Sequence, residues 1–488
     1  MKSEYFLLLN IILPLIASGS TFIKHKYVMR SSIIVASALL CVNNILMLFY
    51  MDNQDVILTH FLDDYQLSIK ANLYSVLFSL MVTSLYFMTN LYSFVYLDAQ
   101  ENFTLEKDLN PKIHLFFTPI AIMATLNIGY SSNLITLFVF YEILTLSTYP
   151  LVIQSFSENA RRAGRYYLGI LFTSSAFFLT IALIFIDNKY GATSFKEGGV
   201  FAENTDIKEV ILLLICFIFG FSKTAIFPLH RWLPKAMVAP IPVSALLHAV
   251  AVVKSGVFAL IKVFIYLFGI DFLSKIKQSS MALDWIIFLA CFTIIFSGIK
   301  ACKQTKLKKI LAYSTISQLS YMILSLSFVT QDLVVASFLY LLSHSIAKIT
   351  LFFSAGIIYI SLHKVDINNM KGIVRVLPVP VILFILAAIS IIGLPFTLGG
   401  LTGSKIYEAI SCDNFIGSVA ISCLLISKVL ACYYFSKVIF QMISPASEVH
   451  TVYYKPIYLT WITFITFSLS ILVIFYFKEI NLALHKIN

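Results

Sequence analysis

Apolar runs of about twenty residues follow one another along all 488 residues, and no polar stretch between them is long enough to build its own core. A helix of about twenty mostly apolar residues crosses the hydrocarbon core of a bilayer. Only 12% of the residues are charged and 59% are hydrophobic, whereas soluble domains carry about 25% charged residues. The fold class expected is an all-α polytopic membrane protein. Fourteen spans are expected near 4–23, 31–50, 72–97, 113–131, 133–153, 165–186, 207–229, 241–268, 283–301, 308–328, 332–360, 377–397, 415–440 and 456–477. A short helical piece around 402–411 belongs with the twelfth, and the hydrophilic pieces 51–70, 98–112 and 187–208 are too short to fold alone.

The charges between spans test this count. Loops after spans 1, 5, 9 and 11 are basic: Lys24/Lys26/Arg30, Arg161/Arg162/Arg165, Lys300/Lys303/Lys306/Lys308/Lys309 and Lys364/Lys371/Arg375. Those after spans 2 and 6 are acidic, with Asp52, Asp55, Asp63 and Asp64 in one and Asp187, Glu197, Glu203, Asp206 and Glu209 in the other. All the strongly basic loops follow odd-numbered spans, which places both termini on the non-cytoplasmic side. The net charge of +11 is therefore a topological signal and not a nucleic-acid footprint. Only the loop after span 3, which mixes acids with lysines, fits less well. The first apolar run continues to Ile23 and ends on the basic cluster, so it reads as a first span and not a cleaved signal. Cysteines 41, 216, 291, 302, 412, 423 and 432 are scattered without a CxxC pair. No disulfide framework and no metal site is expected from them.

Ionisable groups inside the apolar runs are the functional candidates. Placing one at the bilayer centre costs about 2.5–3.5 kcal/mol on insertion scales. Glu142, Lys223, Lys254, Lys348 and Lys405 form such a row and point to a proton or cation path. His248 and His344 suit proton relay, because an unperturbed imidazole titrates near pH 6.5. Lys262, Lys428 and Lys437 read as lysines that snorkel from helix ends, and His230 with Arg231 as cytoplasmic surface residues.

Two spans carry breakers at mid-membrane. Pro228 lies in Phe227-Pro228-Leu229, ahead of Pro234, Pro240 and Pro242; Pro395 lies in Gly393-Leu394-Pro395-Phe396, ahead of Gly399, Gly400 and Gly403. Irregular backbone at depth survives only where it is buried in protein or lines a cavity. Spans 4–8 and 9–13 form two sets of five with the interrupted helix fourth in each, the pattern of inverted repeats. The expected division is 1–112 (spans 1–3), 113–268 and 283–440 (the repeats) and 441–488 (the last span).

The segments FVFYEILTLSTYPLV, GFSKTAIFPLHRWLPKAMVAPIPVSALLHA, TKLKKILAYSTISQLSYMIL, LSHSIAKITLFFSAG and GLPFTLGGLTGSK together resemble one family. It comprises the antiporter-like subunits of respiratory NADH:quinone oxidoreductase (complex I), membrane-bound hydrogenases and Mrp-type Na⁺/H⁺ antiporters. The resemblance covers roughly residues 70–440. It implies that Glu142 pairs with Lys223, that Lys254 is the span-8 lysine, that Lys348 with His344 joins the two halves, and that Lys405 is the terminal site. Departures are Lys235 in place of an acid, Lys306 before LAYST, Ser320 in place of glycine, and a GLTGSK segment looser than the usual form.

The function expected is that of a proton-translocating component, of the Mrp D type, in a multi-subunit Na⁺ (or other monovalent cation)/H⁺ antiporter of the bacterial inner membrane. The SALLHAVAVVKSGVF and GSK patterns favour it. The alternative is a proton-pumping subunit of complex I or of a membrane hydrogenase. Both imply partner membrane subunits, no cofactor in this chain and no nucleic acid; any redox chemistry would reside in those partners.

Overall fold

A computed structural model describes residues 2–51, 54–62, 65–103, 109–191, 193–202, 205–411, 414–445 and 451–486. Asp52, Asp63, Asp64, Glu203 and Cys412 lie outside the described residues.

Each apolar stretch carries a helix. The N-terminal three are α1 (Lys2–Gly19), α2 (Lys26–Met47) and α3 (Leu73–Phe103). Then come α4 (Pro111–Tyr130), α5 (Leu134–Ile153), α6 (Glu158–Tyr190), α7 (Ile207–Gly220) and α8 (Ile241–Phe268). After a short α9 (Ile270–Ser279) follow α10 (Asp284–Cys302), α11 (Leu307–Leu326), α12 (Gln331–Leu362), α13 (Pro378–Ile392), α14 (Leu398–Ala409) and α15 (Phe415–Ile443). The chain closes with α16 (Ile457–Phe475) and α17 (Phe477–His485). Among the described residues, eleven helices are long and apolar enough to cross a membrane. The other six of α1–α17 fall outside that set: α9, α14 and α17 are short, α7 and α13 each stop at a break, and α11 is the sixth.

Local chemistry sets the boundaries. Asn110 caps α4 by accepting from Lys112 and Ile113 N–H groups, with Pro111 at the first helical position. Asn133, Thr330, Thr397 and Asn414 cap α5, α12, α14 and α15 in the same way. The 51–70 segment, expected to be a loop, contains an antiparallel hairpin, β1 (Val56–Leu62) and β2 (Tyr65–Ile69). It is tied to the ends of α4 and α5: Lys70 N–H donates to Tyr130 O at 2.7 Å, and Ser68 and Ser132 hydroxyls meet at 2.6 Å.

The mixed loop after span 3 becomes intelligible in three dimensions. Arg30 grips Asp98 with two N–H···O bonds of 2.7 and 2.8 Å, and Lys26 bonds Glu101 at 2.6 Å. Asp98 and Glu101 thus sit against the bases that follow span 1, on one side of the molecule.

The centre of the molecule is made by α8 and α12, whose most apolar windows are 100% and 94% buried. Around them pack α3, α4, α11 and α16. Phe78 stacks on Phe258 with ring centroids 4.2 Å apart, and Tyr92 stacks on Phe353 at 4.0 Å while donating to its carbonyl at 2.8 Å. Lipid is as apolar as these side chains, so such close packing and hydrogen bonding must hold the helices together.

On α9, Lys277 donates to Ser327 O at 3.1 Å and lies over the Phe328 ring. Burial pushes its ammonium down to about 8, with Asp284 opposing. The folded protein therefore binds this proton less tightly than the unfolded chain, and stability rises with pH between about 8 and the unfolded lysine value of about 10.4. Across that window the melting temperature of the wild type should climb relative to Lys277→Met; parallel curves would show that Lys277 is not held as described.

Candidate functional site

Lys223 sits where α7 stops. The backbone turns out of the helix at Gly220, makes one tight turn over Ser222–Thr224, and passes Ala225 in the left-handed region at φ 55°. Groups freed by the break find partners on neighbouring helices. Lys223 N–H donates to the Tyr141 hydroxyl at 3.1 Å, Trp232 Nε1 donates to Ser222 O at 3.1 Å, and the Ser174 hydroxyl donates to that of Ser222 at 2.6 Å. Further on, Phe227 N–H donates to Thr293 Oγ1 at 3.2 Å. The α8 backbone presses onto the break at Gly256, where a Cβ would stand 2.8 Å from Thr224 N and 2.9 Å from Lys223 Cβ.

The Lys223 side chain is fully buried. Its Nζ donates to Tyr141 O at 2.8 Å and Thr145 Oγ1 at 2.7 Å, 3.2 Å from the Tyr141 ring centroid. The direct pair with Glu142 that the resemblance implies is not formed: no ion pair joins them within 4 Å. Both Glu142 oxygens are buried and accept no hydrogen bond from a described residue. Nearby Ser175, in a widened turn of α6, donates instead to Leu171 O at 2.6 Å. The two charges therefore interact through space, and contact requires one of the two side chains to move.

Farther along the row, α8 and α12 meet. Lys254 and His344 are buried and hydrogen-bonded, Nζ to Nδ1. Two basic nitrogens can share a hydrogen bond only if one offers a lone pair, so this contact holds one exchangeable proton between two helices. One turn on, Lys348 donates to Leu311 O at 3.1 Å and Ser314 Oγ at 2.9 Å. His248 lies in a widened turn of α8, 3.3 Å from Thr315 Oγ1. Its Nε2 has no partner among the described residues, nor has that of His344.

Several expectations change. Lys405 does not join the row: its side chain is 44% exposed and lies 3.9 Å from Glu408. Lys262 does not snorkel but is buried, capping the end of α4 through Gly129 O at 2.8 Å and Ser131 O. His230 is not at the surface but is buried in a cluster with Phe227 and Phe296. The breaks named for Pro228 and Pro395 begin earlier, at Gly220 and Gly393. Sequence reasoning missed Tyr141 and Thr145, which hold Lys223; a polar group one turn or less from a buried acid was the available signal.

Residues 131–430, more than half of the chain, match the family "NADH:quinone oxidoreductase/Mrp antiporter, TM", and the chain belongs to that family. It is an antiporter-like, multi-pass membrane subunit. Among its relatives is "Putative antiporter subunit mnhA2" of Staphylococcus saprophyticus, 29% identical over 356 residues, covering 69% of this chain and 42% of that protein. The Staphylococcus aureus (strain MRSA252) counterpart is 29% identical over 367 residues, covering 71% and 44%. The chain thus spans less than half the length of these curated relatives. The fold is similar to a chain of the membrane-bound sulfane sulfur reductase, an archaeal respiratory membrane complex, at TM-score 0.83 and 22% identity, covering 98% of this chain and 96% of that one. It is also similar to a chain of the Mrp complex from Dietzia sp. DQ12-45-1b, at TM-score 0.79 and 19% identity, covering 96% and 50%.

Gly256→Val should force α8 away from the Lys223 turn and destabilise the protein by about 1–3 kcal/mol. A lowered melting temperature in detergent is the readout, and an unchanged one would mean the break is not wedged against α8.

Proposed function

We propose that this chain is the proton-translocating component, of the Mrp D type, of a multi-subunit monovalent cation/H⁺ antiporter in a bacterial plasma membrane. It would cross the membrane fourteen times with both termini on the non-cytoplasmic side. Residues 113–268 and 283–440 act as two inverted halves, flanked by 1–112 and 441–488. Protons step along Glu142, Lys223, Lys254, His344 and Lys348, with His248 within electrostatic reach of both lysines of the central pair of helices. The observation that carries this reading is the Lys254–His344 hydrogen bond, a proton shared between two basic groups on the most buried helices. Glu142 gates entry: when Lys223 swings from Tyr141 towards it, a buried charge gains its partner, and when the lysine returns that compensation is lost. Exchange against Na⁺ or another monovalent cation rests on the antiporter relatives, and the cation's path is shared with partner membrane proteins of the complex.

One observation favours a second reading. The chain of the archaeal respiratory complex matches almost end to end. In that setting the same row would be driven by redox chemistry in partner subunits, as in complex I or a membrane hydrogenase.

Everted vesicles carrying the native complex separate the two. Collapse of a preformed ΔpH on adding NaCl, lost in Glu142→Ala and Lys223→Ala with assembly intact, is expected for the antiporter. Acidification driven by NADH and lost in the same variants would make the chain part of a respiratory pump. Lys223→Arg should also fail, because a guanidinium keeps its proton throughout the working pH range. Normal proton movement by Lys223→Ala in an assembled complex would end both readings.

A further inference from the structure

The second helix break has its own ammonium, and it comes from a helix other than the broken one. We infer that Lys428 of α15, and not Lys405 of α14, is the terminal proton-carrying residue of the row, an inference that rests on the proton path proposed above.

Position along the helix sets Lys428 apart from a snorkelling lysine. It is the fourteenth residue, counting 415 to 428 inclusive, of a 29-residue apolar helix and so lies near mid-membrane. Snorkelling needs a nearby helix end. Instead the side chain turns inward to where α13 stops at Ile392. Gly393 there has φ 81°, and a Cβ added to it would lie 3.6 Å from Lys428 Cε and 3.9 Å from Nζ. The ammonium thus sits over the last turn of α13, where unsatisfied carbonyls make the negative end of the helix. Its Nζ is 4.2 Å from the Tyr407 ring centroid, as Lys223 is held over Tyr141 at the first break.

The space around this ammonium suits proton transfer. A small cavity of about 10 Å³ is lined by Gln318, Tyr321, Tyr340, Gly403, Tyr407 and Lys428 among others, which is room for about one water. The Tyr407 hydroxyl is buried there without a partner among the described residues. No hydrogen bond joins Lys428 Nζ to a described residue, so it is free to exchange its proton with such a water.

A polar stripe on α11 connects this chamber to the central row. Ser314, Gln318 and Tyr321 follow at helical spacing on one face. Ser314 accepts from Lys348 at 2.9 Å and from the Tyr434 hydroxyl at 3.0 Å. One turn on, Ser317 meets Ser427 at 3.2 Å, and Gln318 accepts from the Tyr340 hydroxyl. Tyr340 stacks on Tyr321 at 5.8 Å, and both line the Lys428 cavity. A proton leaving Lys348 would thus pass hydroxyls and one water to the Nζ lone pair of Lys428, which later releases it from the same nitrogen, with the Gln318 amide orienting the Tyr340 hydroxyl. Lys405, by contrast, shares its cavity with Glu408, His485 and Asp332, the second residue of α12, and so lies level with a helix end.

The test uses the assembled complex in everted vesicles, with Lys223→Ala as reference. Lys428→Met should cut proton-coupled transport about a hundredfold, the low end of the loss expected on removing a proton-transfer group. Lys428→Arg, which keeps the charge and much of the bulk, should fail equally because it cannot release a proton. Lys405→Met should transport like the wild type. Adding Gly403→Lys to Lys428→Met should restore activity by delivering an ammonium to the same cavity, since a Cβ at Gly403 meets only Tyr340, at 3.8 Å. Wild-type transport by either Lys428 variant while Lys223→Ala is inactive would overturn the inference and leave the proton path standing. So would loss of transport in Lys405→Met alone. Activity in Lys223→Ala would overturn the proton path itself.

Discussion

A backbone donor or acceptor inside a bilayer has no water to turn to, and an unbroken helix is the simplest way to satisfy it. This chain interrupts two helices at depth, so the rest of the bundle is arranged around meeting that debt. At the first break, Tyr141, Trp232 and Thr293 supply partners from α5, the following turn and α10. At the second, Ser390 accepts from the Gly399 amide and Thr397 caps the resumed helix. The helices that flank each break are thereby fixed to one another by the break itself. Gly256 lets α8 approach closely enough to seal the first one.

The same scarcity of water governs the buried bases. An ammonium out of water needs oxygen ligands, and a carboxylate would bind it most tightly. Here the lysines take carbonyls and hydroxyls: Lys223 from Tyr141 and Thr145, Lys348 from Leu311 and Ser314. A neutral oxygen shell solvates the charge without locking it, so a proton can leave without stranding an opposite charge. Glu142 is the exception, and its oxygens stand apart from Lys223. Lys262 uses the same kind of ligands for another end, tying α8 to the carbonyl end of α4.

Hydropathy made the helices legible, since a run long enough to cross a bilayer has few other structures open to it. Proline and glycine marked the breaks because each removes or loosens a helical hydrogen bond. Glu142, Lys223, Lys254, His248, His344 and Lys348 were visible because each carries an insertion cost that a chain does not bear idly. The holding residues were not. Tyr141, Thr145, Ser314 and Gln318 are polar groups cheap enough to occur anywhere in a span. The hairpin over 56–69 was missed as well, because its short strands match a loop in length and polarity.

Faces were the other blind spot. A helix that is apolar all round gives no periodic signal of which side meets which neighbour. Lys405 and Lys428 both lie in apolar context near the second break, and only packing leaves one half-exposed and turns the other over Gly393. The sequence by itself determined that this is a bundle of membrane helices with two interruptions and a set of costly buried charges, because the bilayer penalises each departure from an apolar helix locally. The tertiary structure decided which charges touch, since the contacts between Lys254 and His344, or between Lys348 and Ser314, join helices whose rotation the hydropathy of a wholly buried segment leaves open.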